Sequence, residues 1–378
     1  MMEHDLALYI HFPFCRHKCH YCSFVSYQCR ENDIPAYVEA LGQELSLYAD
    51  RQRVFSIYFG GGTPSLLSPD QLDYILFVIH SSFIVDEAAE VTMEANPGTI
   101  DEPYLSCIRN SGINRLSLGI QSFNDTELAL LGRIHTTAEA IDAMYFAQNA
   151  GFTNINLDLI YGLPGHSMTS WQDTLYEVIK LEPQHISLYP LSLEADVSMR
   201  LAIQRGELPD IDPDLSADQY ELAEDLLAAH GYRHYEISNW AKEGCECRHN
   251  IVYWQNLPYL GIGAAAHSYL DGHRFANTPH LDSYMNALLQ HMSLRDMDEA
   301  IGPELQLSET VIMGLRLDTG VCLDDIHSRF GINLLEQYGK QVGELTNLGL
   351  LERSGQRIRL TRRGRLLGNE VFYRFLPG

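Results

Sequence analysis

Three cysteines fall within eight positions near the start of the chain, Cys15, Cys19 and Cys22 in "HFPFCRHKCHYCSF". Thiolates at C-x3-C-x2-C spacing on one loop can serve a single metal centre. Two inventories fit. A closed zinc site would need a fourth ligand from His11, His17 or His20. A 4Fe–4S cluster takes cysteine thiolates, and three of them leave one iron open to a small chelating co-substrate. Further on, "FGGGTPSLL" sets glycines at 60, 61 and 62. Missing Cβ atoms let a backbone approach the co-substrate's amino group or carboxylate, although a tight strand-to-helix turn explains them equally well. Glu94, Gln121, Arg133 and Asp158 are ordinary singly. Together at one site, a carboxylate could hold ribose hydroxyls or an ammonium group, and Arg133 a carboxylate in bidentate fashion.

The elements that must position these groups alternate between β-rich runs and amphipathic stretches. Candidate strands are "LALYIHF" (6–12), "SIYFGG" (56–61), "EVTMEAN" (90–96), "RLSLGIQS" (115–122), "INLDLIYG" (155–162) and "HISLYPL" (185–191). Helical segments are expected near 33–49, 68–81, 101–110, 137–150 and 169–180, with Ser68 and Pro69 giving one clear helix start. Six such units argue for a parallel sheet with right-handed crossovers. The strands read as continuous apolar runs, as expected when both faces are covered. An open sheet and a full or partial barrel both remain. The unusual residues all fall at or near the C-terminal edges of strands, where such folds bind their ligands. After about residue 195 the rhythm changes. A helix is expected at 215–230, and helices followed by a hairpin turning at Ser354-Gly355 suggest a small winged-helix-type domain at the end.

The 378 residues carry a formal net charge of −24. An acidic chain is a poor default partner for nucleic acid. One local exception is the tail, with Arg357, Arg359, Arg362, Arg363 and Arg365, which raises and does not favour a DNA-binding wing. No apolar run is long enough to span a membrane, and the start has no export signal, so a cytoplasmic protein is expected. Eight cysteines in such a chain suggest metal binding before a disulfide framework.

"CRHKCHYC" resembles the cluster motif of the radical S-adenosylmethionine (SAM) superfamily. With "YIHFPFC", "GGGTPSLL", "EANPGT", "RLSLGIQSF", "LDLIYGLPG", "YEISNWA" and "CRHNIVYW", the chain is similar over nearly its whole length to the branch that contains oxygen-independent coproporphyrinogen III oxidase and the HemW heme chaperones. The resemblance implies a partial (β/α)6 barrel over residues 1–235, an extension at 236–295 and a winged-helix-type domain at 296–378. It implies that Cys15, Cys19 and Cys22 hold a 4Fe–4S cluster, and that Tyr9, Tyr21, Gly61, Gly62, Thr63, Glu94, Gln121, Arg133 and Asp158 contact SAM. Reductive cleavage of SAM to methionine and a 5′-deoxyadenosyl radical would draw on an electron donor such as a flavodoxin or ferredoxin.

Two departures separate the branches. The oxidase family has a fourth cysteine two positions after the third, where this chain has Phe24. It also has a long extension before the cluster loop, where only fourteen residues precede Cys15 here. On the chaperone side, His249, Asn250 and Tyr253 match an H-N-x-x-Y motif associated with heme binding. An imidazole is a common axial heme ligand, and Arg248 could pair with a propionate. The expected function is therefore heme binding and transfer to a membrane-associated acceptor, with peripheral contact at the membrane. Coproporphyrinogen oxidation, another radical reaction on a tetrapyrrole, and a methylase or cyclopropane-forming reaction are the alternatives. Cys245 and Cys247 read as an inert surface pair, and His267 as packed and hydrogen-bonded.

Overall fold

A computed structural model describes residues 5–49 and 52–377. Six strands, β1 (Leu6–Phe12), β2 (Arg53–Gly61), β3 (Ile84–Ala95), β4 (Arg115–Gln121), β5 (Ile155–Tyr161) and β6 (His185–Pro190), lie side by side in chain order. Every neighbouring pair is parallel. The helices between and after them are α1 (Ile34–Leu47), α2 (Pro69–Ser82), α3 (Glu102–Ser111), α4 (Thr137–Asn149), α5 (Met168–Leu181) and α6 (Pro213–Ala229). A doubly wound sheet reverses its strand order at a switch point. This order never reverses, so the open-sheet alternative falls and the fold is a partial (β/α)6 barrel.

The barrel does not close. β7 (Arg233–Glu236) and β8 (Asn239–Ala241) extend the β6 edge, with β8 antiparallel to β6. On the other edge β9 (Tyr259–Ile262) joins β1 in parallel, and β10 (His267–Leu270), β11 (His273–Asn277) and β12 (Arg295–Ala300) follow antiparallel. Segment 236–295 therefore forms no body of its own, since Leu260, Ile262, Phe275 and Tyr284 belong to the barrel's hydrophobic core.

Local signals set the helix starts. The Ser68 hydroxyl accepts the Gln71 N–H while the Gln71 side chain accepts the Ser68 N–H, a capping box with Pro69 in the first turn. Thr136 and Glu139 repeat the device at α4.

The strands correct one expectation. They are not uniformly apolar but alternate, with one face packed on the helices and the other turned into the barrel. Leu6, Leu8, Ile10 and Phe12 are buried in the core. The inward residues are polar and bond to one another: Tyr58 to Glu94, Ser117 to Asp158, Asn156 to Ser117 and His185 to Asn156. Arg115, 2% exposed, lies among them.

The helix α7 (Arg248–Trp254) precedes β9, and α8 (Leu281–Leu289) follows β11. A second hydrophobic core then begins. It is built from α9 (Pro303–Gly314), α10 (Leu323–Phe330) and α11 (Leu334–Asn347), with the antiparallel strands β13 (Val321–Cys322), β14 (Leu351–Ser354) and β15 (Arg357–Leu360). This is a winged-helix-type arrangement.

Arg359, Arg362 and Arg365 of its tail pair with carboxylates of the same molecule, while Arg357 and Arg363 are exposed. Arg365 meets Glu224 on α6 at 2.5 Å and Asp318 at 3.1 Å, and Arg362 meets Asp225 at 2.7 Å and Glu224 at 3.0 Å. Arg359 pairs with Glu352 across the hairpin. The basic tail thus complements the acidic face of α6, which removes the motive for a DNA-binding wing. The Glu224 carboxylate is nearly covered, so Arg365→Ala strips a partner from a half-desolvated charge. It should cost about 1.5–3 kcal/mol, whereas Arg359→Ala on the exposed hairpin should cost less than about 1 kcal/mol. Denaturant unfolding of the two variants measures the contrast.

Candidate functional site

A cavity of about 410 Å³ opens at the C-terminal edges of the strands. Its lining includes Cys15, Cys19, Tyr21 and Cys22 from the loop after β1, Gly61, Gly62 and Thr63 after β2, and Glu94, Gln121, Arg133 and Asp158 from the next three units. Among the residues assigned to the cluster and SAM, Tyr9 alone does not line it. Tyr9 stands behind the wall, its hydroxyl 3.1 Å from His11 Nδ1 and its ring 6.1 Å from that of Tyr58.

Each glycine of the run has a cause. A Cβ at Gly60 would lie 2.9 Å from the Tyr58 ring and 3.2 Å from the Glu94 carboxylate. Gly61 holds φ +112°, left-handed backbone that suits glycine. A Cβ at Gly62 would lie 2.6 Å from Phe14 O and 2.8 Å from Phe12 O. The chain that carries Cys15 thus runs directly against the glycine backbone. Gln121 takes φ +73°, a strained value for a residue with a side chain, and such strain collects at functional sites.

Two neighbours touch the thiols. Arg133 Nη1 lies 3.3 Å from Cys19 Sγ and Thr63 Oγ1 3.6 Å from Cys15 Sγ. Burial pushes the Cys15 and Cys22 thiols up, with Thr63 opposing at Cys15 and the Phe24 backbone at Cys22. Bound metal would supply the charge that deprotonates them. Among the described residues no three His, Cys, Asp or Glu side chains converge on one ion. A single zinc needs that convergence, while a cubane takes each thiolate on a different iron. Of the three histidines offered for zinc, His11 is engaged at both ring nitrogens and His20 at one. His11 Nε2 lies 3.1 Å from Val25 O, and His20 Nδ1 3.0 Å from Leu130 O. The buried Nε of Arg133 has no partner, a free donor at the wall. The donor set therefore fits a three-thiolate cluster with a polar small molecule beside it.

Glu94 dominates the cavity floor. Burial and then Asp158 push its carboxyl up to about 7, while Tyr58, at 2.9 Å, and Gly61 N, at 3.1 Å, hold it down. Burial raises Asp158 too, against hydrogen bonds from Ser117 and Asn156. Sequence reasoning missed Tyr58, Ser117 and Asn156, although each occurs two positions from another inward polar residue, a period of two that marks one strand face.

The H-N-x-x-Y segment is elsewhere. α7 sits under the barrel near the starts of the strands, and Glu90 caps it, accepting the N–H groups of Arg248 and His249, each at 3.1 Å. Arg329 of the C-terminal domain meets Gln255 O and Asn256 O at its other end. His249 is 1% exposed. Its Nδ1 is 3.0 Å from Ser56 Oγ and its Nε2 2.8 Å from the Tyr253 hydroxyl. Burial pushes its imidazole down to about 3, so it is neutral. Against the expectation that His249, Asn250 and Tyr253 present a heme ligand, the structure holds both ring nitrogens of His249 in hydrogen bonds, with Tyr253 as one of the partners. Arg248 is occupied as well, donating to Ala88 O and lying over Phe55. Cys247 is buried and not at the surface as expected, its thiol pushed up to about 12 by burial, which makes it inert. His267 is exposed at the start of β10, and not packed as expected.

Barrel and cysteine loop together define a radical SAM protein, and the Radical SAM superfamily model matches residues 9–177, with the HemN C-terminal domain model at 301–367. The heme chaperone HemW of Lactococcus lactis is 38% identical, covering 100% of this chain and 98% of its own length. That of Bacillus subtilis is 35% identical, covering 98% and 99%. Among solved structures, the Escherichia coli coproporphyrinogen III oxidase HemN superposes with a TM-score of 0.87 at 25% identity, covering 98% of this chain and 90% of that one. The chain belongs to the HemW family.

The glycine run gives a direct check. Gly62→Ala must displace the cysteine loop, so the anaerobically reconstituted variant should lose most of its iron and of the broad blue-edge absorbance, as Cys15→Ala does. Ala substitution at Gly151, which meets no atom within 4 Å, should leave the iron content unchanged.

Proposed function

We propose that this chain is a heme chaperone. It keeps a 4Fe–4S cluster on Cys15, Cys19 and Cys22 with SAM against Gly61, Gly62, Thr63, Glu94, Gln121, Arg133 and Asp158, and it carries heme to an acceptor protein. The observation that carries the reading is end-to-end similarity to chaperones of that name together with a cavity that gathers the three cysteines and the strand-end polar groups. When bound, the cluster and SAM supply one-electron chemistry. The protein's own part is to orient the co-substrate by its carboxylates and glycine backbone and to keep bulk water from it.

Likeness to the oxidase favours a second reading, oxidative decarboxylation of coproporphyrinogen III. Against it, Phe24 stands where the oxidase family has its fourth cysteine, and its ring is 67% exposed at the cavity mouth. An open aromatic beside the cluster suits contact with a flat ligand or a partner surface.

The finer partners follow from charge and shape. Arg16, His17, Lys18 and His20 are exposed on the cysteine loop of a chain with net charge −24. Arg16 and Lys18 meet only backbone oxygens, Gly98 O and Phe24 O. Such a cationic lip beside the cluster suits an acidic one-electron donor of flavodoxin or ferredoxin type, which would be steered by charge. No described helix is long and apolar enough to cross a membrane; on this proposal the chain meets a membrane-associated acceptor from a cytoplasmic, peripheral position.

Two measurements test this. Incubation with SAM, a reductant and coproporphyrinogen III should give no vinyl groups, while hemin should give a Soret band; vinyl formation would favour the oxidase. Binding of an acidic flavodoxin should weaken about tenfold or more in Arg16→Glu/Lys18→Glu and fall with added salt. Salt-independent, unaltered binding would remove the cationic lip as the docking site.

A further inference from the structure

The H-N-x-x-Y segment lies under the barrel, yet a short run of contacts joins it to the cavity floor. The His249 ring stacks on Tyr58, with centroids 5.1 Å apart and 30° between planes. Ser56 and Tyr253 fix that imidazole from both nitrogens, and Tyr253 is wedged edge-on against Tyr259 at 4.7 Å. On the far side of Tyr58, its hydroxyl donates to Glu94 Oε1 at 2.9 Å, and Gly61 N donates to Oε2 at 3.1 Å. Tyr9 flanks both rings, 6.1 Å from Tyr58 and 6.3 Å from His249. The glycine at 60 is needed because Tyr9, Tyr58 and Glu94 already crowd that point. Tyr58 is therefore packed against two rings, Tyr9 and His249, that also lie beside each other.

We propose that His249 and Tyr253 are positioning residues that hold Tyr58, and through it the Glu94 carboxylate, in the orientation that receives SAM. The inference rests on the reading of Glu94 as a SAM contact. Neither residue touches the co-substrate, and both act through one aromatic ring.

The consequence is readable in pH. Groups facing Glu94 are Tyr9 on β1, Tyr58 on β2, Arg115 on β4, Asp158 on β5, Tyr189 on β6 and Tyr253 on α7. Burial and Asp158 raise the carboxyl, while Tyr58, Gly61 N and Arg115 lower it. Losing the Tyr58 hydroxyl bond, or letting its ring drift, removes a lowering influence, so the carboxyl must ionise at higher pH.

The test is equilibrium SAM binding to the reconstituted full chain across pH. Wild-type binding should strengthen as pH rises through the ionisation of Glu94. Tyr58→Phe should move that midpoint upward and weaken binding at neutral pH by roughly tenfold, the equivalent of one pKa unit. His249→Ala should move it in the same direction, Tyr253→Phe by less, and His249→Gln should restore most of the wild-type profile. A midpoint that moves in Tyr58→Phe but stays put in His249→Ala and Tyr253→Phe overturns the proposal. Should His249→Ala fail to fold, Tyr253→Phe, which removes one hydroxyl, decides alone. Unaltered SAM binding in Glu94→Gln would instead overturn the reading of the SAM site beneath it.

Discussion

A carboxylate buried inside a parallel barrel must be met by donors or it takes up a proton. Glu94 sets that condition for the upper half of this molecule. Tyr58 and the Gly61 N–H supply the donors, and each makes its own demand. The Gly61 N–H points at Glu94 only because the backbone there turns through a left-handed conformation. That turn leads directly into Gly62, which lies against the chain carrying Cys15. The carboxylate floor and the cysteine lip thus both lean on one backbone segment, Gly61-Gly62, the first through a hydrogen bond and the second through close packing.

The lower half meets a different condition. Arg115 is buried in the lumen, and an uncompensated buried cation is costly. Glu90 and the dipolar groups of His249, Tyr235 and Tyr58 surround it. The short helix of the H-N-x-x-Y segment closes this end, anchored by Glu90 from the barrel and by Arg329 from the C-terminal domain. Chemistry is held at one mouth, and the other mouth is sealed by the joint between domains. Charge pairing along α6 secures that joint from outside, which explains why an acidic chain places its arginines in the tail.

What the sequence discloses divides along physical lines. Local rules were readable: cysteine spacing, the glycine run, Ser68 with Pro69, and helix ranges that match the observed ones to within a residue or two. Strand order could not be read from periodicity, because an open sheet and a barrel share the same alternation of elements, and only the similarity to a known family chose between them. The polar lumen was present in the letters as Glu90-x-Thr92-x-Glu94 and Arg115-x-Ser117, but the apolar residues between masked a period of two. His249 was the furthest from legible. Whether an imidazole faces solvent or a serine 193 positions away is decided by long-range packing, which no local pattern encodes. The tail arginines failed in the same way, since their partners lie on a helix about 140 positions earlier.

The central claim is that the three-cysteine loop and the barrel carboxylate serve one bound SAM. The most direct test is electron paramagnetic resonance of the reduced, reconstituted chain with and without SAM. The account predicts that SAM alters the cluster spectrum of the wild type, by binding the iron that lacks a thiolate, and that Glu94→Gln needs much more SAM for the same change. A cluster spectrum indifferent to saturating SAM would contradict it.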